Sequence, residues 1–204
     1  MESRRVLFGV APGLQTRRLS TILQPPPLRR HCNCSTTRVS TRHPPRLEPA
    51  VYIGLQRYFL TICCDGRHQT LNDARARDLV LSELQRTART HAFAVFAYCL
   101  MPDHLHLVVE AQHEHADLPE FVRLFKQRTS YAWNESRGER LWQSSFYDHV
   151  LRDNEATQDV VRYVLENPVR AKLAKTPEDF EFSGSFVFDR QKLIEWAFGW
   201  NIEK

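Results

Sequence analysis

The segment from residue 92 to 109 constrains the fold more than any other part of the chain, because it joins two apolar stretches through a Pro-Asp turn at 102–103. Turn residues at that point predict that the two stretches pair as an antiparallel hairpin. Side chains in a strand alternate between its faces, so His104 and His106 project side by side while the leucines that follow them point into a core. Two such imidazoles are a common start of a metal site, although polar residues on the solvated face of a strand look the same.

The other apolar patterns predict elements on both sides of this hairpin. The order is a strand at Tyr58–Cys64, a helix of about eighteen residues capped by Asn72, the two hairpin strands with the first at 92–100, a helix at 118–133, a strand at 145–151 and a helix from about Asn154. This succession indicates an α+β fold. We expect a ferredoxin-like sandwich, with helices packed on one antiparallel sheet.

The first fifty residues differ in composition from the rest of the chain. They contain seven of the eleven prolines, nine arginines, no lysine and two acidic residues, a net charge of +7, whereas the remainder carries −3. We predict a disordered Arg/Pro-rich arm at 1–44. The same composition also fits an organellar transit peptide or translation from an upstream start. At the other end of the chain we predict a helical tail at 189–204. The near-neutral remainder predicts that any contact with nucleic acid comes from a local patch.

Cysteine usage and hydropathy indicate the cellular environment. The five cysteines are odd in number and scattered, which does not fit the disulfide framework of a small secreted domain. No apolar run approaches the roughly 18 residues of a membrane span. The sequence therefore predicts a soluble protein of a reducing cytosol with no membrane partner.

A second pair of polar side chains lies in the last of these predicted helices. Tyr163 and Asn167 are four residues apart, so a phenol and a carboxamide share one helical face. The same residues also fit an ordinary helix, with Tyr163 in a buried apolar stripe and Asn167 as a cap in front of Pro168. The pattern by itself leaves both interpretations open.

Five sequence blocks, in order and with consistent spacing, resemble the REP-associated tyrosine transposases, relatives of the insertion-sequence single-strand transposases with a His-hydrophobe-His motif. The blocks are Tyr58–Cys64, Met101–Val108, Phe125–Arg128, Leu141–Val150 and Tyr163–Leu173. The resemblance covers residues 45–188 and implies that they form the catalytic domain. The chain departs from the family near its end, where Phe182–Ser185 stands in place of a tryptophan and paired serines.

The resemblance assigns roles to the candidate site residues. It implies that His104 and His106 bind a divalent metal, that Asn167 is the third ligand and that Tyr163 is the nucleophile. Tyr163 would cleave and rejoin single-stranded DNA at palindromic hairpins through a 5′-phosphotyrosine, leaving a free 3′-hydroxyl. Two imidazoles and an amide oxygen suit Mg²⁺ or Mn²⁺ at least as well as zinc.

The resemblance also implies a single-stranded or hairpin DNA partner. Basic side chains would hold its phosphates and aromatic side chains would stack on its unpaired bases. The predicted phosphate contacts are Arg123, Lys126, Arg128, Arg162, Arg170 and Lys172. Tyr147 and His149 are expected to pack or orient rather than react. A monomer or a homodimer that exchanges the tyrosine helix is implied, in the cytoplasm of a bacterium and associated with the nucleoid.

Two other functions are compatible with parts of this pattern. A domesticated protein could bind the same hairpins without cutting them, as the acidic balance of the core and the altered C-terminal block would allow. A two-histidine phosphoesterase would need a second His-x-Ser/Thr motif, which His149-Val-Leu does not supply. The first of these stays open as the alternative to a transposase.

Overall fold

A computed structural model of the chain describes residues 52–151 and 157–199. The predicted N-terminal arm at 1–44 lies outside the described residues, as do 45–51, 152–156 and 200–204. The strands are β1 (Arg57–Cys63), β2 (Phe93–Met101), β3 (His104–Ala111), β4 (Tyr147–Leu151) and β5 (Ser183–Gly184), and the helices are α1 (Ala74–Thr90), α2 (Leu118–Arg137), α3 (Thr157–Arg170) and α4 (Arg190–Phe198).

The five strands form one antiparallel sheet in the order β4-β1-β3-β2-β5. From β1 to β4 the chain runs strand, helix, hairpin, helix, strand, and β3 lies between β1 and β2 in the sheet. This is the split arrangement of ferredoxin-like folds. The predicted α+β class and the predicted hairpin are both confirmed.

Helices cover both faces of the sheet, and each face has its own apolar core. The α1/α2 face buries β-strand and helix side chains that include Leu60, Ile62, Leu105, Leu107, Val80, Leu84, Phe121 and Phe125. The α3/α4 face buries Phe59, Cys99 and Val108 against Val161, Val164, Leu165, Leu193, Ile194 and Ala197. The α4 helix lies within the predicted C-terminal tail, and its apolar side is part of this second core.

Several element boundaries differ from the sequence-based expectations. The predicted cap of α1 at Asn72 is wrong, because residues 70–72 form a 3₁₀ turn and the side chain of Asp73 accepts from the backbone N–H of Arg75 instead. The α2 helix continues four residues past its predicted end, to Arg137, and stops where Gly138 adopts a left-handed conformation with φ of 70°. The β4 strand begins at Tyr147, two residues later than predicted.

The α3 helix carries Tyr163 and extends past Asn167 and Pro168 to Arg170. Asn167 is therefore inside the helix, and its possible role as a cap in front of Pro168 is excluded. Residues before Thr157 that were predicted to begin this helix lie outside the described part of the chain. No helix among the described residues is long and apolar enough to cross a membrane.

Candidate metal and nucleophile site

The two histidines of β3 converge on the α3/α4 face of the sheet. Their side chains point the same way because residues two apart on a strand share a face. The Nε2 atoms of His104 and His106 lie 2.9 Å apart. The rings are nearly perpendicular, at 87°. His106 is 6% exposed, so it occupies the floor of the α3/α4 core rather than a solvated strand face.

The opposite nitrogen of each imidazole is held by a neighbour. Asp103 Oδ1 lies 2.6 Å from His104 Nδ1, and Thr61 Oγ1 lies 2.9 Å from His106 Nδ1. Arg67 in turn forms a 2.8 Å ion pair with Asp103. Partners of this kind fix ring orientation and leave Nε2 to act as a metal ligand. Thr61 reaches His106 because β1 and β3 pair these two residues in register.

Burial and charge favour the neutral form of the inner imidazole. The pKa of His106 lies well below its ordinary value, first because the ring is buried and then because His104 and Arg67 add positive charge nearby. Burial raises the pKa of Asp103, but the hydrogen bond with His104 and the charges of His104 and Arg67 outweigh it and leave that pKa below its ordinary value. A carboxylate is thus kept beside His104, and a neutral imidazole is the form that binds metals.

Tyr163 meets the histidines of its own chain. The α3 helix packs across β2 and β3, and the Tyr163 ring centroid lies 6.3 Å from that of His106. The guanidinium of Arg170, about two turns later on the helix, lies 4.8 Å from the centre of the Tyr163 ring. The predicted nucleophile and the two predicted metal-binding histidines are therefore brought together.

Asn167 follows Tyr163 by one turn, and its side chain folds back on α3. The amide nitrogen donates to the carbonyl of Tyr163 at 2.8 Å and to that of Val164 at 3.4 Å. Pro168 has no N–H with which to satisfy the Val164 carbonyl, so the Asn167 amide partly replaces the missing helical hydrogen bond. With its nitrogen engaged, the side chain has its oxygen left for other partners, and the role of third ligand stays a prediction.

Phe59 connects the parts of the site and was not anticipated from the sequence. Its ring stacks on His106 at 5.5 Å with an interplanar angle of 22°, and it meets Tyr163 edge-on at 5.9 Å. It also meets Tyr147 at 6.3 Å. Strand alternation puts Phe59 on the same face of β1 as Thr61, two residues later, but only the register between β1 and β3 places that face beside His106.

The basic residues predicted to hold phosphates fall into two groups on opposite sides of the sheet. Arg123 and Arg128 are on α2, where Arg123 pairs with Glu120 and Arg128 donates to Thr87. Arg162 and Arg170 are on α3 with Tyr163. Arg162 donates to the carbonyl of Ala197 and Arg170 pairs with Glu166, while Lys172 is exposed in the turn that follows α3. Among these residues, Arg170 contacts the ring of the predicted nucleophile, whereas Arg162 faces α4.

Lys126 holds the loop that leads into β4. Its ammonium donates to three consecutive backbone carbonyls, of Gln143 at 2.6 Å, Ser144 at 2.9 Å and Ser145 at 3.2 Å. These carbonyls precede the edge strand that begins at Tyr147. In this arrangement Lys126 positions the backbone of the loop, and its contact with DNA stays a prediction.

Comparison with known proteins identifies the family. The family described as "Transposase IS200 like" matches residues 53–167, more than half of the chain. A Haemophilus influenzae protein provisionally named a REP-associated tyrosine transposase is 25% identical over an alignment of 147 residues, which covers 62% of this chain and 77% of that protein. The REP-associated tyrosine transposase of Escherichia coli K12 is 23% identical over an alignment of 151 residues, which covers 72% of this chain and 87% of that protein.

A solved structure has the same fold. It is that of a REP-associated tyrosine transposase bound to a REP hairpin, with a TM-score of 0.59, 22% identity and coverage of 70% of this chain and 82% of that one. The histidine pair, Tyr163 and Asn167 all fall within the stretch that the family matches. The resemblance to REP-associated tyrosine transposases is confirmed, and the chain belongs to the IS200-like transposase family.

Proposed function

We propose that this protein is a metal-dependent transposase that cleaves and rejoins single-stranded DNA at palindromic hairpins through a 5′-phosphotyrosine on Tyr163. The observation that carries the proposal is the convergence of the two Nε2 atoms of His104 and His106 beside the ring of Tyr163. Membership of a transposase family supports the same reaction class.

The donor set fits a divalent cation. His104 and His106 direct their Nε2 atoms at each other while Asp103 and Thr61 hold the Nδ1 atoms, an arrangement that turns both ligating nitrogens to one point. We assign these two histidines and the amide oxygen of Asn167 to the metal. A neutral oxygen beside two imidazoles suits Mg²⁺ or Mn²⁺. When bound, such an ion polarises a phosphate oxygen and stabilises the charge that develops on it.

Tyr163 supplies the covalent step. Its hydroxyl oxygen attacks the phosphorus and forms a phosphotyrosine bond, while the bond from phosphorus to the 3′ oxygen breaks. The phenol loses one proton and the leaving 3′ oxygen gains one, so the products are a 5′-phosphotyrosine and a free 3′-hydroxyl. The phosphoester bond energy is retained, and the reverse attack by a 3′-hydroxyl rejoins the strand without a nucleotide cofactor.

The partner of this reaction is hairpin DNA with a single-stranded flank. The related structure named above is described as bound to a REP hairpin, and we carry that ligand class to this chain as part of the proposal. The proximity of Tyr163 to His106 within one chain supports a monomer that needs no exchanged helix. As part of the same proposal we place the protein in the cytoplasm, at the nucleoid, where such DNA is found.

The test is a search for the covalent adduct. Labelled single-stranded hairpin oligonucleotides with flanking sequence are incubated with the full chain and Mn²⁺ and then separated under denaturing conditions. We expect a labelled protein band that disappears with Tyr163→Phe and with a chelator, and that persists with Tyr131→Phe, a matched change at an exposed tyrosine of α2. An adduct unchanged by Tyr163→Phe would refute the assigned nucleophile. Hairpin binding with no adduct in any metal would instead indicate a domesticated binding protein.

A further inference from the structure

Tyr147 lies at the open edge of the site and is 42% exposed. It is the first residue of the edge strand β4 and pairs with Thr61 of β1. Thr61 in turn pairs with His106 of β3. Paired residues of an antiparallel sheet project from the same face. Tyr147, Thr61 and His106 therefore form one row of side chains, and neighbouring strands lie about 4.8 Å apart, which puts Tyr147 roughly 10 Å across the sheet from the histidine.

The Tyr147 ring has a rigid support. Phe59 meets it at 6.3 Å with an interplanar angle of 66°, and the same Phe59 ring is 4% exposed and packs on both His106 and Tyr163. One buried aromatic thus supports the inner metal-binding histidine, the nucleophile and the exposed tyrosine. The position of the Tyr147 ring is consequently tied to the position of the reacting groups.

The backbone that leads into Tyr147 is also held in place. Lys126 donates to the carbonyls of Gln143, Ser144 and Ser145, and the backbone N–H of Gln143 donates to the carbonyl of Cys63 at 3.0 Å. These bonds tie the loop to α2 and to the end of β1. The sequence indicated a packing role for Tyr147, whereas the structure leaves a large aromatic ring partly open beside the site.

We propose that Tyr147 is a stacking platform for an unpaired base next to the scissile phosphate. This inference rests on the proposed function, since it assigns a subsite to the same single-stranded DNA. An aromatic face accepts any base, because every base has a π-face, so the platform sets the position of the strand rather than its sequence. A strand whose phosphate lies at the histidine pair has its flanking nucleotides within reach of this edge of the sheet.

The experiment measures stacking directly and without cleavage. Hairpin oligonucleotides with single-stranded dT flanks carry one 2-aminopurine, moved along the flanks in a series, and are titrated with the full chain bearing Tyr163→Phe in Mn²⁺. We expect quenching of 2-aminopurine fluorescence at one flank position. Adding Tyr147→Ala should abolish that quenching and raise the Kd of the flanked hairpin about tenfold, while adding Tyr147→Phe, which keeps the ring, should preserve both.

Controls separate this inference from the proposed function. Adding Tyr131→Ala, at an exposed tyrosine of α2, should leave quenching unchanged, and circular dichroism checks that each variant is folded. Quenching that survives Tyr147→Ala, or hairpin binding with no quenched position, overturns the platform even if the adduct assay succeeds. Quenching lost with Tyr147→Ala supports the platform even if wild-type protein forms no adduct. Failure to bind hairpins at all overturns both.

Discussion

The two faces of the sheet use the same strands for different purposes. On the α1/α2 face β1 contributes Tyr58, Leu60 and Ile62, all with no exposed surface. On the α3/α4 face it contributes Phe59 and Thr61, which both touch His106, and Phe59 also packs in the apolar core of that face. Strand alternation thus places residues that stabilise the fold and residues that build the site one position apart. Neighbouring substitutions should therefore affect different properties.

The largest effect is expected for a change in the α1/α2 core. Leu107→Ala removes a fully buried side chain and leaves a cavity, so the free energy of unfolding in urea should fall by about 2–5 kcal/mol. His106→Gln, one position away on the other face, should abolish Mn²⁺ binding measured by calorimetry with a smaller loss of stability. If His106→Gln retained Mn²⁺ binding and destabilised the protein as much as Leu107→Ala, His106 would be only a core residue.

The next effect concerns the support of the histidines. Asp103→Asn removes the charge that holds His104 Nδ1 and pairs with Arg67, so Mn²⁺ affinity should fall about 10- to 100-fold with the fold retained. Asp78→Asn, at an exposed position of α1, is the matched control and should leave Mn²⁺ affinity unchanged. Calorimetric titration of both variants decides the matter, and equal affinities would show that Asp103 does not act through His104.

Local pattern predicted the parts of the site that lie within one element. Alternation along β3 put His104 and His106 on one face, and four-residue spacing put Tyr163 and Asn167 on one side of a helix. Their roles came from the family resemblance and not from these periods. The contacts of Thr61 and Phe59 depend on the register between strands that are more than forty residues apart, which no local period encodes. The contacts of Lys126 with three carbonyls depend on a loop that has no regular structure, which no sequence period predicts. The family resemblance implied a phosphate contact for Lys126 instead.

The third expected effect concerns how well each core excludes solvent. Burial raises the pKa of Cys64, on the α1/α2 face, and of Cys99, on the α3/α4 face, to about 12 in each case. Above pH 9 the unfolded thiols ionise while the native ones keep their protons, so stability is full below that pH and falls as pH rises. Each buried thiol should lower the free energy of unfolding by about 1 kcal/mol between pH 9 and pH 10.

Urea unfolding of the Cys64→Ala and Cys99→Ala variants at these two pH values checks this expectation. Each substitution should reduce the drop in stability between pH 9 and pH 10 by about 1 kcal/mol relative to wild type. A variant lacking Cys99 with an unchanged pH dependence would mean that solvent reaches the α3/α4 core. The two faces would then differ, because only the α3/α4 core, which holds the site, would be open to solvent.

The smallest expected effect tests which face receives the DNA backbone. A strand attacked by Tyr163 runs along the α3/α4 side, where Arg170 lies 4.8 Å from the centre of the tyrosine ring, whereas Arg123 lies on α2, on the other side of the sheet. Both arginines are paired with a glutamate of their own helix, so their position distinguishes them. Arg170→Gln should therefore weaken hairpin binding modestly and reduce the slope of log affinity against log salt by about one, the signature of one lost phosphate contact. Arg123→Gln should leave that slope unchanged. The reverse result would place the bound strand across α2, and the α1/α2 face would then join the α3/α4 face in binding DNA.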